Sequence, residues 1–485
     1  MSNAADIDAD GAVTFGATRT GGLSTAADIS TSNDNITFHR AVTLTGPVQL
    51  NTDTGGGNVE FFATTGTVNG TQNLTIAAGT GNVEFDAIFG GTTPLADLAV
   101  TSADEINFDA AITAANVTAN GTTIDGSGLV TAGAIDLDAV NGIGATTPLQ
   151  LAATTLDATN TTLGVIHINE LDAVAVGITH NGTRNVTLNA GGAITDNNAA
   201  ATNVTGGIFT VDAGGSVDLD TDVASLDAST SATGDIDINE ANAITLTAVD
   251  TNDGSITVVA GGMITATNVD SSNTDDDAND ISLTTTSGDV LVGLVDAGTI
   301  GDVSVVAAGA INEAATADAN ADIVAHELTL TAFNGIGNIS PLEVTAADIT
   351  VNTTSGNISI DSLAVTAVNV SSLTTGGVGG TIDFGQSGNQ SLTLTTVSTT
   401  DGNVTITNTG GTDANIQIGE ITADATDDIV SLTAAGAIND AATDTLSDLT
   451  AFQLGLNAAA GIGNNEQLET AVSQLAFDNT MSGDV

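Results

Sequence analysis

The stretch Gly57-Asn-Val-Glu-Phe61 recurs as Gly81-Asn-Val-Glu-Phe85, and this repeat decides the fold. Its last three residues are apolar, polar and apolar, a pattern typical of a short strand with one buried face. The copies of this pattern are Val13-Thr-Phe15, Ile36-Thr-Phe38, Val59-Glu-Phe61, Val83-Glu-Phe85 and Ile106-Asn-Phe108. Their Phe residues recur with a nearly constant period of about 23 residues, which indicates a stacked repeat architecture.

A second strand follows about half a period later, as in Leu74-Thr-Ile76 and Leu98-Ala-Val100. Beyond residue 120 the Phe is lost, but Gly, then Asn, Asp or Ser, then apolar–x–apolar continues to recur. Together with the two early copies, this motif begins at Gly57, Gly81, Gly215, Gly234, Gly254, Gly288, Gly301, Gly356 and Gly402. A Gly-Ile-Gly motif occurs at Gly142, Gly335 and Gly461. The sequence Ala-Ala-Gly-Ala-Ile-Asn begins at both Ala307 and Ala434, which indicates a higher-order duplication.

Short strands of three to five residues cannot bury their apolar side alone, but equivalent strands stacked about 4.8 Å apart can. Gly with Asn or Asp supplies the tight backbone that the corners between strands require. We therefore predict an all-β fold, a right-handed parallel β-helix (β-solenoid) of about 20 coils with a period of about 23 residues. Such an array would form a rod on the order of 100 Å long.

The sequence predicts one continuous repeat array over residues 1–485. Residues 1–125 are the most regular, with Phe-laddered coils, and residues 126–485 form more divergent coils with loop insertions. Segments 314–324 and 440–449 are rich in Ala and Asp, and we expect them to form short helical loops. The chain stops at Gly483-Asp-Val485, the opening of the commonest motif. This ending suggests a fragment, or a subunit whose last coil is completed by a neighbour.

Composition limits the function. The chain has 59 acidic and three basic residues, a formal net charge of −56, and contains no Cys, Trp or Tyr. Such a charge repels phosphate backbones and anionic lipids, so we expect no nucleic-acid partner. It also makes the folded state depend on salt or divalent cations. We find no apolar run of about 18 residues, and hence no transmembrane segment.

An acidic cluster is the sharpest local feature. Asp275, Asp276, Asp277 and Asp280 lie close together along the chain. Carboxylates at close spacing on a loop are ligands that Ca²⁺ prefers. We take these four residues as a candidate calcium loop, and calcium is the one cofactor that the sequence suggests. The alternative is a solvated corner loop in a chain rich in Asp.

The segments Leu188-Asn-Ala-Gly-Gly-Ala-Ile194 and Val258-Val-Ala-Gly-Gly-Met-Ile264 resemble repeats of filamentous-haemagglutinin-like adhesins and autotransporter passengers. The resemblance spans most of the chain. It implies a right-handed β-helix, export across a bacterial outer membrane, an extracellular location on the cell surface, and adhesion. No secretion-recognition domain or outer-membrane barrel of that family is recognisable in the sequence. The repeat period of about 23 residues is also longer than the period expected of repeats of the haemagglutinin type.

We expect a secreted structural or adhesive repeat protein without catalysis. The chain has three Arg and no Lys, Trp or Tyr, so it has few basic or large aromatic side chains that could bind a substrate. Its partners would be other copies stacked end to end, the rest of a larger surface protein, or glycans on host or neighbouring cells. An alternative is a calcium-responsive module that binds glycan or mineral. A third is a polysaccharide-degrading β-helix, in which clustered Asp residues would line a groove.

Overall fold

The computed structural model describes residues 2–3, 5–16, 21–63, 66–181, 183–196, 198–314, 320–424, 426–442, 445–464 and 467–480. The chain divides into two compact units, an N-terminal unit of residues Met1–Gly234 and a C-terminal unit of residues Asp235–Val485. The described residues form no α-helix, and their strands stack in parallel as a β-solenoid of about 22 turns with a period of about 21 residues. The predicted fold class is therefore confirmed.

Strands of very different lengths, most with an alternation of buried and outward side chains, build the N-terminal unit. They span Ser2–Asn3, Ile7–Ala9, Val13–Phe15, Leu23–Thr25, Ile29–Thr31, Ile36–Phe38, Val42–Leu44, Val48–Asn51, Val59–Phe61, Thr67–Asn69, Leu74–Ala77, Val83–Phe85, Ile88–Phe89, Leu95–Ser102, Glu105–Asn107, Ile112–Gly121, Thr123–Asp125, Leu129–Ala139, Leu149–Asn160, Ile166–Glu170, Val174–His180, Val186–Ala190, Ile194–Asp196, Val204–Ala213 and Val217–Thr233.

The C-terminal unit follows the same plan. Its strands span Ile236–Glu240, Ile244–Asp253, Ile256–Ala260, Ile264–Ala266, Val269–Asp270, Ile281–Thr285, Val290–Val292, Val295–Asp296, Val303–Ala307, Ile311–Glu313, Ile323–Val324, Glu327–Ala332, Leu342–Thr345, Asp348–Thr353, Ile358–Ser362, Val368–Val378, Ile382–Gln386, Leu392–Asp401, Val404–Asn408, Ile416–Thr422, Ile429–Ala434, Ile438–Asp440, Leu449–Ala458 and Thr470–Asn479.

The Phe strands of the N-terminal unit stack in the predicted register. Val59 and Phe61 pair with Val83 and Phe85, and the strands from Val13–Phe15 to Thr123–Asp125 form a sheet of six. Neighbouring Phe rings lie 5.0, 4.7, 6.0 and 5.2 Å apart between centroids along the series from Phe15 to Phe108. Because each ring covers the next, the ladder fills the core without larger aromatic side chains. The second strand series is also confirmed, since Leu74 pairs with Leu98.

The period seen in the early coils does not hold along the whole chain. Phe209 pairs with Leu226 across a short coil, whereas Val404 pairs with Val430 across a much longer one. A coil keeps its inward positions while its corners gain or lose residues, because only the strands must stay in register. The single-array prediction and the fragment prediction stay predictions, and Gly483-Asp-Val485 lies outside the described residues.

Many strands are longer than the three to five residues that the sequence predicts. Leu149–Asn160 has 12 residues and Val217–Thr233 has 17. In Leu129–Ala139 the burial alternation slips once, where Gly133 and Ala134 both point away from the core. Small side chains let such a strand bend at a corner without losing its hydrogen-bond ladder. The predicted helical loops are absent where segments 314–324 and 440–449 are described, and residues 315–319 and 443–444 lie outside that part.

The Gly-Ile-Gly motif is a one-residue strand. Ile336 is fully buried and forms parallel bridges with Ile311 and Ile358, which extends the core ladder. Gly335 and Gly337 flank it with φ of 101° and 66°. Only Gly adopts this left-handed region without cost, so the glycines turn the chain sharply on both sides of the buried Ile. The same geometry occurs at Gly142 and Gly144 and at Gly461 and Gly463.

Candidate functional site: clustered carboxylates

The predicted calcium loop lies between strands Val269–Asp270 and Ile281–Thr285, with its four Asp side chains exposed. Asp275 caps the turn of the next coil. Its Oδ1 accepts hydrogen bonds from the N–H groups of Thr299 and Ile300, both at 3.0 Å, and its Oδ2 accepts one from Thr299 Oγ1 at 2.7 Å. The hydrogen bond from the Thr299 side chain is the main cause that lowers the pKa of Asp275.

Two of the other three carboxylates of this loop also accept hydrogen bonds from backbone N–H groups. Asp276 Oδ1 accepts from the Ala278 N–H at 3.2 Å, and Asp280 Oδ1 accepts from the Asp302 N–H at 2.9 Å. Among the described residues there are three groups in which oxygen atoms of three carboxylates lie within 4.8 Å of one another. None of these groups contains Asp275, Asp276, Asp277 or Asp280. Calcium binding at this loop stays a prediction.

The first carboxylate cluster consists of Glu313, Asp322 and Glu343, whose side chains are 5, 5 and 7 % exposed. Asp322 and Glu343 are held together by the backbone. The Asp322 N–H donates to the Glu343 carbonyl at 2.7 Å, and the Glu343 N–H donates to Asp322 Oδ2 at 2.9 Å. The Ser340 hydroxyl donates to Glu313. This arrangement keeps three carboxylates together in the protein interior.

The environment of this cluster disfavours negative charge. Burial is the largest cause that raises the pKa of Asp322, to about 7, and the charges of Glu343 and Glu313 add to it. Burial also raises the pKa of Glu343, with further contributions from Glu313 and Asp361. Buried carboxylates in contact cannot all ionise without a compensating charge. A proton or a divalent cation would supply it.

A cavity adjoins the cluster on its next coils. Glu343 pairs in register with Asp361, and Asp361 pairs with Gly385. At Gly385 a Cβ atom would lie 2.4 Å from Asp361 Oδ1, so the Asp361 carboxylate occupies the space that a side chain would fill. A cavity beside this glycine, the Gly385 cavity, has a volume of about 290 Å³. It is lined by Glu343, Asp361, Ser362, Gly385, Gln386 and Thr407, among others.

Two residues of this lining point their side chains to the core, and one oxygen atom of each has no hydrogen-bond partner in the described part of the chain. These atoms are Ser362 Oγ and Gln386 Oε1, on side chains that are each 1 % exposed. Gln386 Nε2 donates to the Ala364 carbonyl at 2.8 Å, which fixes the orientation of the side-chain amide. An unpartnered buried acceptor is costly, so water or a cation is expected beside it.

The second carboxylate cluster consists of Asp440, Asp448 and Glu469 and arises from the sequence duplication at Ala307 and Ala434. The backbone clamp is the same. The Asp448 N–H donates to the Glu469 carbonyl and the Glu469 N–H to Asp448 Oδ2, both at 2.8 Å. Burial, followed by the charges of Asp440 and Glu469, raises the pKa of Asp448 to about 6.

A third copy of the clamp contains an amide in place of the central Asp. Asn203 N–H donates to the Asp220 carbonyl at 2.7 Å, and Asp220 N–H donates to Asn203 Oδ1 at 2.8 Å. Asn203 Nδ2 then donates to Asp196 Oδ1 at 2.8 Å. The neutral amide therefore provides the donor that Asp322 lacks when it is ionised.

The remaining group, Asp401, Asp427 and Asp428, is closer to solvent, and only Asp428 is buried. Asp428 Oδ2 accepts from the N–H groups of Gly402 at 2.8 Å and Asp424 at 3.1 Å. This carboxylate anchors a loop to the neighbouring coil, as Asp275 does.

The sequence did not reveal the first cluster, because strands and turns separate its members along the chain. The available signal was the duplication. Acidic residues occupy corresponding places in both copies, Glu313 with Asp440, Asp322 with Asp448, and Glu343 with Glu469. The sequence prediction favoured adjacent Asp residues instead, but these lie on a loop between two strands, where Asp275 accepts hydrogen bonds from backbone N–H groups.

A like-charge pair in the N-terminal unit gives a testable pH dependence. Asp157 pairs in register with Asp136. Burial, then the charges of Asp136 and Asp138, raises the pKa of Asp157 to about 6. The pKa of an Asp side chain in the unfolded protein is about 4. The protonated Asp157 carboxyl therefore makes its full contribution to the free energy of unfolding below pH about 4, and this contribution is lost as the pH rises to about 6.

We expect Asp157→Asn to remove this loss and to raise the free energy of unfolding at pH 7 by about 1 kcal/mol, after allowance for screening by solvent. Urea unfolding at several pH values between 4 and 8 measures it. Asp227→Asn is the control, because Asp227 is exposed and pairs with Thr210 rather than with an acid. Equal pH profiles for the Asp157 variant and the parent would contradict the expectation.

The sequence matches no protein-family model, and neither a curated protein nor a solved structure matches the chain. None of the described residues belongs to a helix that is long and apolar enough to cross a membrane.

Proposed function

We propose that the chain is a structural repeat segment of an extracellular rod or filament on a bacterial surface, which acts in adhesion without catalysis. The observation that carries the proposal is the parallel register kept from coil to coil, with apolar ladders inside and acidic and hydroxyl side chains outside. Repeat arrays of this kind extend along one axis and expose a large surface for their number of residues. The resemblance to filamentous-haemagglutinin-like adhesins and autotransporter passengers supports the same role.

The exposed edge at the strand Thr470–Asn479 supports stacking on a further coil. Leu475 and Phe477 are 50 and 55 % exposed, although their register partners Leu454 and Leu456 are buried. A further coil would cover both side chains and pair the strand edge. Another copy of the chain, or the rest of a larger surface protein, would supply it. Surface glycans on host or neighbouring cells are the proposed adhesion partners.

Small-angle scattering and negative-stain microscopy of the purified chain test this function. We expect elongated particles, and end-to-end filaments if copies stack on one another. Stability should also fall when whole coils are removed from an end, because each coil stabilises its neighbours. A compact, globular particle in solution would contradict the proposal.

A calcium-responsive binding module is the second candidate function, and the clustered carboxylates favour it. It requires stoichiometric Ca²⁺ uptake and a marked rise in melting temperature. Screening of a net charge of −56 alone would give a response that Na⁺ reproduces at higher concentration.

A further inference from the structure

The chain contains five Asn-Gly pairs, which can lose ammonia from the Asn side chain by deamidation. The pairs begin at Asn69, Asn120, Asn141, Asn181 and Asn334. In this reaction the backbone nitrogen of the Gly gives up its proton to solvent and attacks Cγ of the Asn. The side-chain nitrogen takes a proton and leaves as ammonia, and a five-membered succinimide ring remains. The reaction therefore requires a Gly N–H and an Asn side chain that hydrogen bonds do not hold.

Hydrogen bonds hold both groups at the first pair. Asn69 Oδ1 accepts from the Thr93 N–H at 3.1 Å, and Asn69 Nδ2 donates to Thr67 Oγ1 at 2.6 Å. The Gly70 N–H donates to the Thr93 carbonyl at 3.3 Å. Neither the Asn69 side chain nor the Gly70 nitrogen can move toward the other without breaking these bonds, so this pair is protected.

Two further pairs are held by the fold in other ways. Asn120 and the Gly that follows it end the strand Ile112–Gly121 and pair in register with Asp138 and Ala139. The backbone there cannot bend toward a side chain without leaving the sheet. Asn181 is 3 % exposed, and its Nδ2 donates to the Asn185 carbonyl at 2.7 Å. A buried and bonded side chain of this kind is not free to react.

Asn334 is the least restrained of the five. Its side chain is exposed, and in the described part of the chain neither that side chain nor the Gly335 N–H has a hydrogen-bond partner. Asn338 Nδ2 donates to the Asn334 carbonyl at 3.1 Å. Because this carbonyl belongs to the peptide group of the Gly335 nitrogen, the hydrogen bond polarises that group and helps its N–H to lose a proton.

The other Gly-Ile-Gly corners provide internal comparisons. Asn141 precedes the first of them, and the described residues offer no partner to its side chain or to the Gly142 N–H. It is half-buried, however, and Ala145 stands where the second corner has Asn338. The third corner has Ala460 in place of the Asn, so it cannot deamidate. The same local fold therefore occurs with an assisted, an unassisted and an unreactive residue.

We propose that Asn334 is a deamidation site of the folded chain and that its main product loosens the coil. Water opens the succinimide at either carbonyl carbon. When the bond from the Gly335 nitrogen to Cγ breaks, Asp results. When its bond to the main-chain carbonyl carbon breaks, the chain continues through Cγ as isoaspartate, with one more carbon atom in the backbone.

This extra carbon atom would enter the chain immediately before a position that the core requires. Ile336 is fully buried and bridges Ile311 and Ile358 on the neighbouring coils. A longer backbone on one side of this one-residue strand moves Ile336 out of register with both partners. Isoaspartate at position 334 should therefore lower the melting temperature, whereas Asn334→Asp, which adds the charge alone, should melt close to the parent. The inference does not depend on the proposed function.

The experiment follows each pair by mass spectrometry while the full chain ages at pH 7 and at pH 8. A Glu-specific protease, used after unfolding, cuts at Glu327 and Glu343 and releases residues 328–343 as one peptide. We expect Asn334 to convert first, Asn141 more slowly, and the other three pairs to stay intact. The rate at Asn334 should rise about tenfold per pH unit, because the deprotonated fraction of the Gly335 nitrogen does so.

Two variants separate chemistry from fold. Asn338→Ala removes the hydrogen bond to the Asn334 carbonyl and should slow the conversion about threefold. Asn334→Ala copies the third corner, so it should fold and keep its melting temperature as it ages, whereas the parent loses stability in step with isoaspartate.

Three results would overturn the proposal. Gly335 is buried beneath Asn334, so conversion in the urea-unfolded chain but not in the folded chain would show that the corner protects the pair. Conversion of Asn69 or Asn120 as fast as Asn334 in the folded chain would show that hydrogen bonding does not select the site. Isoaspartate at position 334 without a fall in melting temperature would show that the bridge of Ile336 tolerates the longer backbone.

Discussion

Phe61→Asp is expected to unfold the early coils of the N-terminal unit. Phe61 is 2 % exposed and its ring stacks on Phe38 at 4.7 Å and on Phe85 at 6.0 Å. It also makes a T-shaped contact with Phe89, with the two ring centroids 4.9 Å apart. The substitution removes three ring contacts and places a charge between apolar layers. We expect a loss of more than about 4 kcal/mol in the free energy of unfolding of these coils.

Urea unfolding gives the size of this effect, and hydrogen exchange shows where it occurs. Loss of protection should concentrate in the strands of the six-stranded Phe sheet. The control is Phe62→Asp, because Phe62 is the next residue, is half-buried on the outer face, and stacks on His39 at 4.5 Å. We expect the control to cost about 1 kcal/mol. If the Phe61 variant melted as the parent does, the inward assignment of this ladder would be wrong.

Gly337→Val is expected to have the second-largest effect. Gly337 has φ of 66°, and a Cβ atom there would lie 2.2 Å from the carbonyl oxygen of Ser359. A β-branched residue is strained in this left-handed region even without the clash. The backbone must therefore shift, and the bridges of Ile336 to Ile311 and Ile358 would be disturbed. We expect a loss of about 3 kcal/mol or more.

Gly455→Ala is the matched control, because Gly455 lies within the strand Leu449–Ala458 and a Cβ atom there would meet nothing within 4 Å. Ala should be neutral or slightly stabilising at that position, since it restricts the unfolded chain. Thermal melting of both variants in the same buffer compares them directly. Equal destabilisation by the two substitutions would show that the corner geometry at Gly337 is not required.

The site was less predictable than the fold. The sequence predicted a site at Asp275 and its neighbours because they are close together along the chain. In the structure these residues lie on a loop, where carboxylates accept hydrogen bonds from backbone N–H groups. Glu313, Asp322 and Glu343 are separated along the chain and meet where one coil stacks on the next. The duplication at Ala307 and Ala434 pointed to this region, but a repeat alone does not say which of its residues are buried.

The sequence by itself determined the all-β parallel solenoid, the inward positions of the Phe and aliphatic ladders, and the corner glycines. These follow from local rules, because alternation along a strand and the conformational freedom of Gly depend on few neighbours. Only the tertiary structure decided the variable length of the coils, the strands that bend through corners, and the meeting of Glu313, Asp322 and Glu343. Those features depend on how many residues each corner takes up, since that number sets which side chains become neighbours on successive coils.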